Sequence, residues 1–307
     1  MKTIFLTGAT GYIGGSVASQ LVADGHRVRG LVRSADSAVL LQQRGIDPVM
    51  GGLDDSDLLT REAKASDGVI NTASADHPAA VQALLAGLAG TSKLLIHTSG
   101  SSVVGDDVRG SRSSETIYDE DTPFVVAPDK QARHALDRSV LASSDQGIRS
   151  VVICPSLIYG IGRGINQNSV QVPFLARNAL EQGVVQLVGE GHNVWSNVHI
   201  DDVAALYLRA VDDAPAGAFY FAESGEASFG EVGAALAQRL GLSVAALDPE
   251  VAAERWGRAK AYFSLGSNSR VRAKRARREL GWTPRHTSVI DWILNEMPVD
   301  PATPSKP

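Results

Sequence analysis

The chain has 307 residues, 44% of them hydrophobic, so it can bury a full core in one large domain or in one domain with a smaller lobe. Its net charge is −5, its pI is near 5.8, and no long block of like charges precedes the C-terminal region. This balance argues against a nucleic acid or a membrane surface as the main partner, so we expect a small-molecule substrate.

The cysteine content and the N-terminus bear on localisation. Cys154, the one cysteine, lies in an apolar run and cannot form an internal disulfide, which fits a reducing compartment. The apolar stretch at residues 1–8 is too short for a signal-peptide core or a membrane span. We therefore expect a cytoplasmic protein, with a disordered tail at 298–307, where prolines are frequent and apolar residues few.

Short apolar runs alternate with segments of helical periodicity through the first half of the chain. Each run is typical of a strand buried on both faces; the runs are 3–6, 27–32, 48–51, 68–72, 94–97 and 150–154. Between the first two, apolar residues recur at helical spacing until Gly25, which is placed to end that helix. This βαβ unit of about 30 residues, with helices predicted at 79–88 and 129–141, indicates an α/β fold with a doubly wound parallel sheet.

The pattern changes after the last of these runs. A glycine-rich segment, 160–164, precedes a helix predicted at 174–182, which we interpret as part of a small substrate lobe. Phe219–Phe221 forms a late strand that can rejoin the sheet, and Ser228 with Glu231 forms a capping box at the start of another helix. The expected division is a first domain at 1–160, rejoined by 199–225, and a lobe made of 161–198 and 226–297.

A glycine motif follows the first strand and opens the first helix: Thr7-Gly8-Ala9-Thr10-Gly11-Tyr12-Ile13-Gly14. There Gly8 permits a tight turn, Gly11 lets the backbone approach a pyrophosphate, and Gly14 lets the helix pack close to the sheet. The free amides and the dipole of the helix N-terminus favour phosphates. The alternative is a turn with structural glycines, since the glycines stand three apart rather than in the commoner spacing. The βαβ setting favours a dinucleotide site.

Several stretches, in order along the chain, resemble the extended short-chain dehydrogenase/reductases, also called the NAD-dependent epimerase/dehydratase family. They are 7–14, 69–73, 97–101, 155–160, 197–204 and 279–284. The resemblance implies a Rossmann-type domain, a small C-terminal substrate lobe and a nicotinamide cofactor. It also implies cofactor contacts from Gly8, Thr10, Gly11, Tyr12, Ile13, Gly14, Thr72, Ala73, Pro155, Leu157 and Ile158. Because the family includes reductases, epimerases and dehydratases, the fold alone does not name the reaction.

The end of the second strand bears on the choice of cofactor. An acidic residue there favours NAD by accepting hydrogen bonds from its ribose, whereas a basic residue accommodates the phosphate of NADP. Here the strand ends with Arg33 and Ser34 and no carboxylate, so we predict NADP, with NAD as the alternative if Arg33 is only a solvated side chain. In the turn after the third strand, Gly52 stands where the family has an Asp, so the adenine contacts are either weaker or made by backbone groups of Leu53.

The catalytic residues typical of the family have no clear counterpart. Family reductases use a Tyr and a Lys four residues later on one helix, with a Ser or Thr from the fifth strand. Aligned by its ending, this helix has Asp129 in place of the Tyr and Arg133 in place of the Lys, whereas the other register places Val126 and Lys130 there. Asp129 and Arg133 then either face the nicotinamide end of the cleft or form a surface ion pair.

Other candidates surround this helix. On the fifth strand Gly100 replaces the family's Ser or Thr, and the flanking Ser99 and Ser101 either serve a substrate carbonyl or merely form a turn. The resemblance places four residues in the substrate pocket: Tyr159, Asn168, Gln171 and Trp195. The His199, Asp201 and Asp202 cluster is interpreted as structural, opening a helix, so no metal site is expected.

Three functions remain open at this point. The first is an NADP(H)-dependent oxidoreductase acting on a small carbonyl or imine, with an atypical proton donor. The second is a non-catalytic dinucleotide sensor, and the third is an epimerase or dehydratase in which Asp129 acts on a proton beside a carbonyl. The resemblance also implies a homodimer, formed through the helices predicted at 79–88 and 129–141 with Leu136, Val140 and Leu141 available for contact.

Overall fold

In a computed structural model of the chain, which describes residues 1–298, seven parallel strands form the central sheet in the order β10-β6-β5-β4-β1-β2-β3. The described strands are β1 Thr3–Thr7, β2 Arg27–Val32, β3 Asp47–Met50, β4 Gly68–Asn71, β5 Leu94–Thr98, β6 Arg149–Pro155, β7 Leu157–Tyr159, β8 Val185–Val188, β9 Val194–His199, β10 Ala218–Ala222, β11 Gly225–Ser228 and β12 Val244–Leu247. The predicted doubly wound α/β class is confirmed.

Helices cover both faces of this sheet. Those described are α1 Tyr12–Ala23, α2 Ala35–Gln42, α3 Ser56–Ala65, α4 Pro78–Leu88, α5 Gln131–Ala142, α6 Gln171–Gln182, α7 Ile200–Asp213, α8 Phe229–Leu240, α9 Pro249–Trp256, α10 Lys274–Leu280 and α11 Val289–Asn295. Helices α1, α7 and α10 pack on one face and α3, α4 and α5 on the other. Strands β4 and β5 are buried along their whole length, which is why their sequences are continuously apolar or uncharged.

The late strand β10 joins the sheet beside β6, in parallel register from Ala218 opposite Val151. Helix α7, which leads into it, packs against α1 and returns the chain to the first domain. At the start of α8 both halves of the capping box are formed: Ser228 accepts from the amide of Glu231, whose carboxylate accepts from the amide of Ser228. The chain thus returns to the central sheet at β10 and leaves it again before α8.

The lobe has its own core and two small sheets, β11-β9-β7 and β12-β8, packed with α6, α8, α9, α11 and a π-helical segment at Ala259–Leu265. Strand β7 pairs with β9 rather than with the central sheet, so the chain enters the lobe's sheet before residue 160. None of the described helices is both long and apolar enough to cross a membrane. Apart from Pro298, the tail expected at 298–307 lies outside the described residues.

Candidate active site

The turn after β1 requires glycine at two positions. Gly8 adopts φ +79°, a left-handed conformation, and a Cβ there would lie 2.7 Å from Oγ1 of Thr72. A Cβ on Gly14 would lie 2.2 Å from the carbonyl oxygen of Gly8. The Thr72 hydroxyl donates to the Thr7 carbonyl and fixes the neighbouring strand end. The first turn of α1 is thereby held tightly against the ends of β1 and β4.

The N-terminus of α1 is open toward solvent. Gly11 begins the helix without a side-chain cap, and a Cβ on Gly11 would meet only the Gly8 carbonyl, at 3.1 Å. The amides of the first turn, on Tyr12, Ile13 and Gly14, therefore point into free space with the positive end of the helix dipole. An uncapped helix N-terminus of this kind presents donors that suit phosphate groups.

This helix end opens into a cleft of about 430 Å³ between the carboxyl ends of the strands and the lobe. One wall comes from the first domain, Gly11–Gly14, Thr72, Ser99–Ser102, Arg133, Pro155 and Ser156, and continues into Ile158 of β7. The other wall comes from the lobe: Asn166, Asn168–Gln171, Trp195 and Ser264. The location is the usual ligand site of open parallel sheets.

A larger cavity of about 570 Å³ lies behind the segment 160–168, between α6, α8 and α11. Its described lining contains no residue of the glycine turn and none from the end of β5. We therefore place the candidate active site in the smaller cleft.

Arg133 projects from the first turn of α5 into the cleft. Its Nε donates to Oδ1 of Asp76 at 2.8 Å, and its Nη1 lies 3.2 Å from Oγ of Ser102. The same Nη1 lies 3.4 Å from the position that a Cβ on Gly100 would take, so glycine leaves room for the guanidinium. The hydrogen bond from Arg133 holds the pKa of Asp76 below its usual range.

Asp129 is placed differently from the sequence-based expectation. It lies in a 3₁₀ turn, Pro128–Lys130, ahead of α5, and its half-exposed carboxylate faces Arg258 at 3.9 Å. It neither pairs with Arg133 nor lines the described cleft, because α5 begins only at Gln131 and the two residues do not share one helix face. Lys130, from the other register, lies over the ring of Phe263.

Ser99 lines the cleft and donates from Oγ to Oδ2 of Asp137 at 2.6 Å. Asp137 lies one turn after Arg133 on α5 and is buried together with His97 of β5. Burial raises the pKa of Asp137 to about 7 and lowers the pKa of His97 to about 4. It also raises the pKa of the neighbouring Cys154 thiol, which is consistent with an inert core residue.

The remaining predicted substrate residues fall into two groups. Ser101, Asn168, Gln171 and Trp195 all line the cleft, with Trp195 donating from Nε1 to the Ser267 carbonyl. Tyr159, in contrast, is buried in the lobe core against His199 and Trp292 and does not line the described cleft, which differs from the expectation that it lies in the substrate pocket. The side chain is drawn away because β7 turns into the lobe's sheet.

The predicted cofactor residues lie around the same turn. Thr10, Gly11, Tyr12, Ile13 and Gly14 form it, and the backbone of Ala73 lies against Gly8. Pro155 and Ile158 line the cleft, whereas the side chain of Leu157 is buried in the lobe core.

Beside β2, Ser34 caps α2 by accepting from the amide of Ser37. Arg33 is exposed, and Leu53 is half-buried in the turn after β3. This corner of the sheet therefore presents an accessible guanidinium and a hydroxyl.

His199, Asp201 and Asp202 are structural, as interpreted from the sequence. His199 caps α7, Asp201 pairs with Arg163 at 2.7 Å, and Asp202 accepts from the amides of Arg285 and His286. Among the described residues there is no cluster that could hold a metal ion.

Asp76, His97 and Asp137 also lie at this site but were not predicted from the sequence. One signal was available for Asp137, which stands four residues after Arg133 and therefore shares its helix face. His97 was placed inside a predicted strand, and nothing local shows that its ring lies under the cleft. Asp76 reaches Arg133 from a loop 57 residues away in sequence.

The fold and the open glycine turn define an NAD(P)-binding Rossmann protein. Residues 4–220 match the model of the NAD dependent epimerase/dehydratase family, and the chain belongs to that family. It is 34% identical to the oxidase ucsJ of Acremonium sp over 325 residues, covering 92% of this chain and 93% of that protein. Across 94% of this chain and 93% of that relative, it is 27% identical to the 4-hydroxy-2-methyl-3-oxo-4-farnesyl-3,4-dihydroquinoline-1-oxide ketoreductase of Stigmatella aurantiaca.

A solved structure of dTDP-glucose 4,6-dehydratase from Bacillus anthracis in complex with NAD has the same fold. Its TM-score to this chain is 0.75 at 18% identity, with 94% of this chain and 93% of that one covered. The family match and the oxidase and ketoreductase relatives together show that the protein is an NAD(P)-dependent enzyme of the oxidoreductase or epimerase type.

Proposed function

We propose that the protein is an NADP(H)-dependent reductase of a small carbonyl compound. One observation carries the proposal: a single cleft contains both the uncapped helix end of the glycine turn and the donor groups of Ser99, Ser101 and Arg133. Reduced nicotinamide supplies a hydride when it is bound. The protein then has to hold the substrate, stabilise charge on its oxygen and provide a proton.

Arg133 is suited to stabilising the oxygen. Its guanidinium stays charged at any working pH and is fixed by Asp76 and Ser102 instead of turning freely in solvent. A donor fixed before the reaction stabilises developing negative charge without reorganisation. Gln171 and Trp195 form the facing wall from the lobe, where a small organic substrate packs.

The choice of NADP rests on Arg33 and Ser34 at the end of β2. Arg33 is exposed and has no hydrogen bond or ion pair with the described residues, so its guanidinium is available to a ribose phosphate. Two relatives are named an oxidase and a ketoreductase, and these names favour a net oxidation or reduction of the substrate over epimerisation.

A cofactor-consumption assay tests the proposal. The purified protein is mixed with NADPH or NADH and a panel of aldehydes, ketones and imines, while cofactor fluorescence reports binding. We expect NADPH to bind and at least one carbonyl class to be reduced. Tight binding with no consumption across the panel would instead favour the dinucleotide sensor.

A further inference from the structure

A chain of buried polar side chains lies directly beneath the candidate cleft. The Thr7 hydroxyl donates to Oδ1 of Asn71 at 2.5 Å, and Nδ2 of Asn71 lies 3.0 Å from Nδ1 of His97. Nε2 of His97 faces Oδ1 of Asp137 at 3.6 Å. Oδ2 of Asp137 is bonded to Ser99, which lines the cleft. The chain thus connects the protein interior with the site of the proposed reduction.

Asn71 fixes the tautomer of His97. Since Oδ1 of Asn71 accepts from Thr7, its amide nitrogen faces the imidazole, and Nδ1 of His97 must accept. Burial keeps the pKa of His97 near 4, so the ring is neutral at physiological pH and carries its hydrogen on Nε2. That hydrogen points toward Oδ1 of Asp137.

The position of the Asp137 proton follows from this tautomer. Because Oδ1 faces an N–H group, the proton of the neutral carboxyl belongs on Oδ2, beside Oγ of Ser99. In the carboxylate form Ser99 donates across this 2.6 Å contact, whereas in the neutral form the carboxylic acid donates to the hydroxyl. The hydrogen of Ser99 is then free to point into the cleft. The charged groups around Asp137 are Arg133 and Asp76, of opposite sign, and the Cys154 thiol is neutral.

A purely structural role accounts poorly for these contacts. Within the described structure, Nε2 of His97 and Oδ1 of Asp137 have no hydrogen-bond partner, although both atoms are buried. A pair with a purely structural role is expected to close to about 3 Å, because leaving a buried hydrogen bond unmade is destabilising. The open gap leaves the Asp137 carboxyl bonded on one side only, toward the cleft.

We propose that Asp137 supplies protons to the substrate through Ser99, so that this pair replaces the tyrosine of the family's reductases. The inference rests on the reductase function proposed above. As the carbonyl carbon receives its hydride, its oxygen takes the proton of the Ser99 hydroxyl, and Oγ of Ser99 takes the proton from Oδ2 of Asp137. The products are an alcohol and a carboxylate, and Asp137 regains a proton from solvent after release. Ser99 is the catalytic residue, and Asp137 and His97 are positioning residues.

The first test needs no substrate. Protein labelled with ¹³C at the aspartate carboxyls is titrated by NMR, and Asp137→Asn assigns the signal of Asp137. We expect this carboxyl to titrate near pH 7. In Ser99→Ala the midpoint should move upward, because the hydrogen bond from Ser99 stabilises the carboxylate. A midpoint in the ordinary range of aspartate, near 3.8, overturns the relay whatever the activity.

The second test is the pH dependence of single-turnover reduction with NADPH. The wild-type rate should fall as the pH rises through about 7, where Asp137 loses its proton. Asp137→Asn and Ser99→Ala should each lose about 10²–10⁴-fold in rate and lose this fall with pH. Ser99→Thr keeps the hydroxyl and should restore both. Asp145→Asn, exposed after α5, is the matched control and should behave as wild type.

The outcomes separate the relay from the reductase function. If wild type reduces carbonyls and the two variants keep its pH profile, the relay is wrong and the reductase function stands. If wild type reduces nothing, the reductase function fails, and the titration decides the relay. In that case an Asp137 carboxyl that titrates near 7 and responds to Ser99→Ala supports the relay geometry, and one that does neither overturns it.

Discussion

At the scale of single residues, Arg33 tests the choice of cofactor. A charge-assisted contact from its guanidinium to the ribose phosphate is worth about 1.5–3 kcal/mol, which is roughly tenfold to a hundredfold in affinity. We expect Arg33→Ala to weaken NADPH by that factor and leave NADH unchanged in fluorescence titrations. Arg61→Ala, another exposed arginine of the same domain, is the control. Equal dissociation constants of wild type and Arg33→Ala for NADPH would refute the NADP assignment.

Arg133 tests the stabilisation of the substrate oxygen. Removing one preorganised donor typically costs about 10²–10³-fold in turnover, and we expect Arg133→Ala to lower kcat by that amount without a large change in cofactor affinity. Arg138→Ala, on the exposed side of the same helix, provides the comparison. If both variants turn over like wild type, Arg133 does not contact the reacting oxygen.

Individual site residues could be predicted where a local sequence motif specifies them, but not where tertiary packing determines which side chains reach the cleft. The glycine turn could be predicted because a left-handed turn and a close helix approach accept few other residues. Arg133 could be predicted as a site residue because the end of its helix aligns with the family pattern and places Arg133 where the family has Lys. Asp129 does not lie where expected, because the sequence does not show where α5 begins and Asp129 belongs instead to the three-residue 3₁₀ turn ahead of it. Asp137 lies one turn after Arg133 on the same face of α5.

At the scale of elements, the packing of α5 on β5 sets a pH dependence of stability. The Asp137 carboxyl has a pKa near 7 in the folded protein, against an ordinary 3.8, so it binds a proton more tightly in the folded than in the unfolded state. Its contribution to the stability of the folded protein therefore falls as the pH rises between those values. The pKa of His97 is near 4 in the folded protein, against an ordinary 6.5, so its contribution to the stability of the folded protein falls as the pH falls through that range. In wild type the two slopes oppose each other.

Two variants separate the slopes. Asp137→Asn leaves only the His97 contribution, so its denaturant midpoint should fall more steeply than that of wild type on acidification from about pH 6.5 to 4. His97→Asn leaves the Asp137 contribution, so its midpoint should fall as the pH rises from about 4 to 7. Parallel pH curves for wild type and both variants would show that neither group changes its protonation on folding in this way.

The elements of the sheet were predicted more completely than those of the lobe. Strands of the central sheet are buried on both faces and therefore apparent as continuous apolar runs. The lobe's sheets are built from short strands such as β7, three residues long, whose partner β9 lies 40 residues away. Strands of that length carry too few residues for a period to show.

At the scale of the whole molecule, the homodimer remains a prediction. Leu136 and Val140, expected to be available for contact, are buried in the protomer's own core, because they face the sheet. The exposed sides of α4 and α5 present small residues, among them Ala79, Ala86 and Ala135. These allow close helix approach, so we expect a dimeric mass in light scattering at micromolar concentration. A monomeric mass would contradict the four-helix contact.

The contact of Gly15 with Gly164 has a consequence for the order of ligand binding. A Cβ on Gly164 would lie 2.6 Å from Cα of Gly15, and the amide of Asn166 donates to the Thr10 carbonyl. The segment that leads to Asn168 therefore packs directly against the glycine turn and the start of α1. A ligand that stabilises the conformation of this turn should therefore also stabilise one wall of the substrate cleft. We therefore expect the binding of cofactor and of substrate to be thermodynamically linked, so that each ligand raises the affinity of the other by the same factor. We expect the cofactor to bind first. Calorimetric titrations that give equal substrate affinity with and without cofactor would show that the contact between Gly15 and Gly164 does not couple the two binding events.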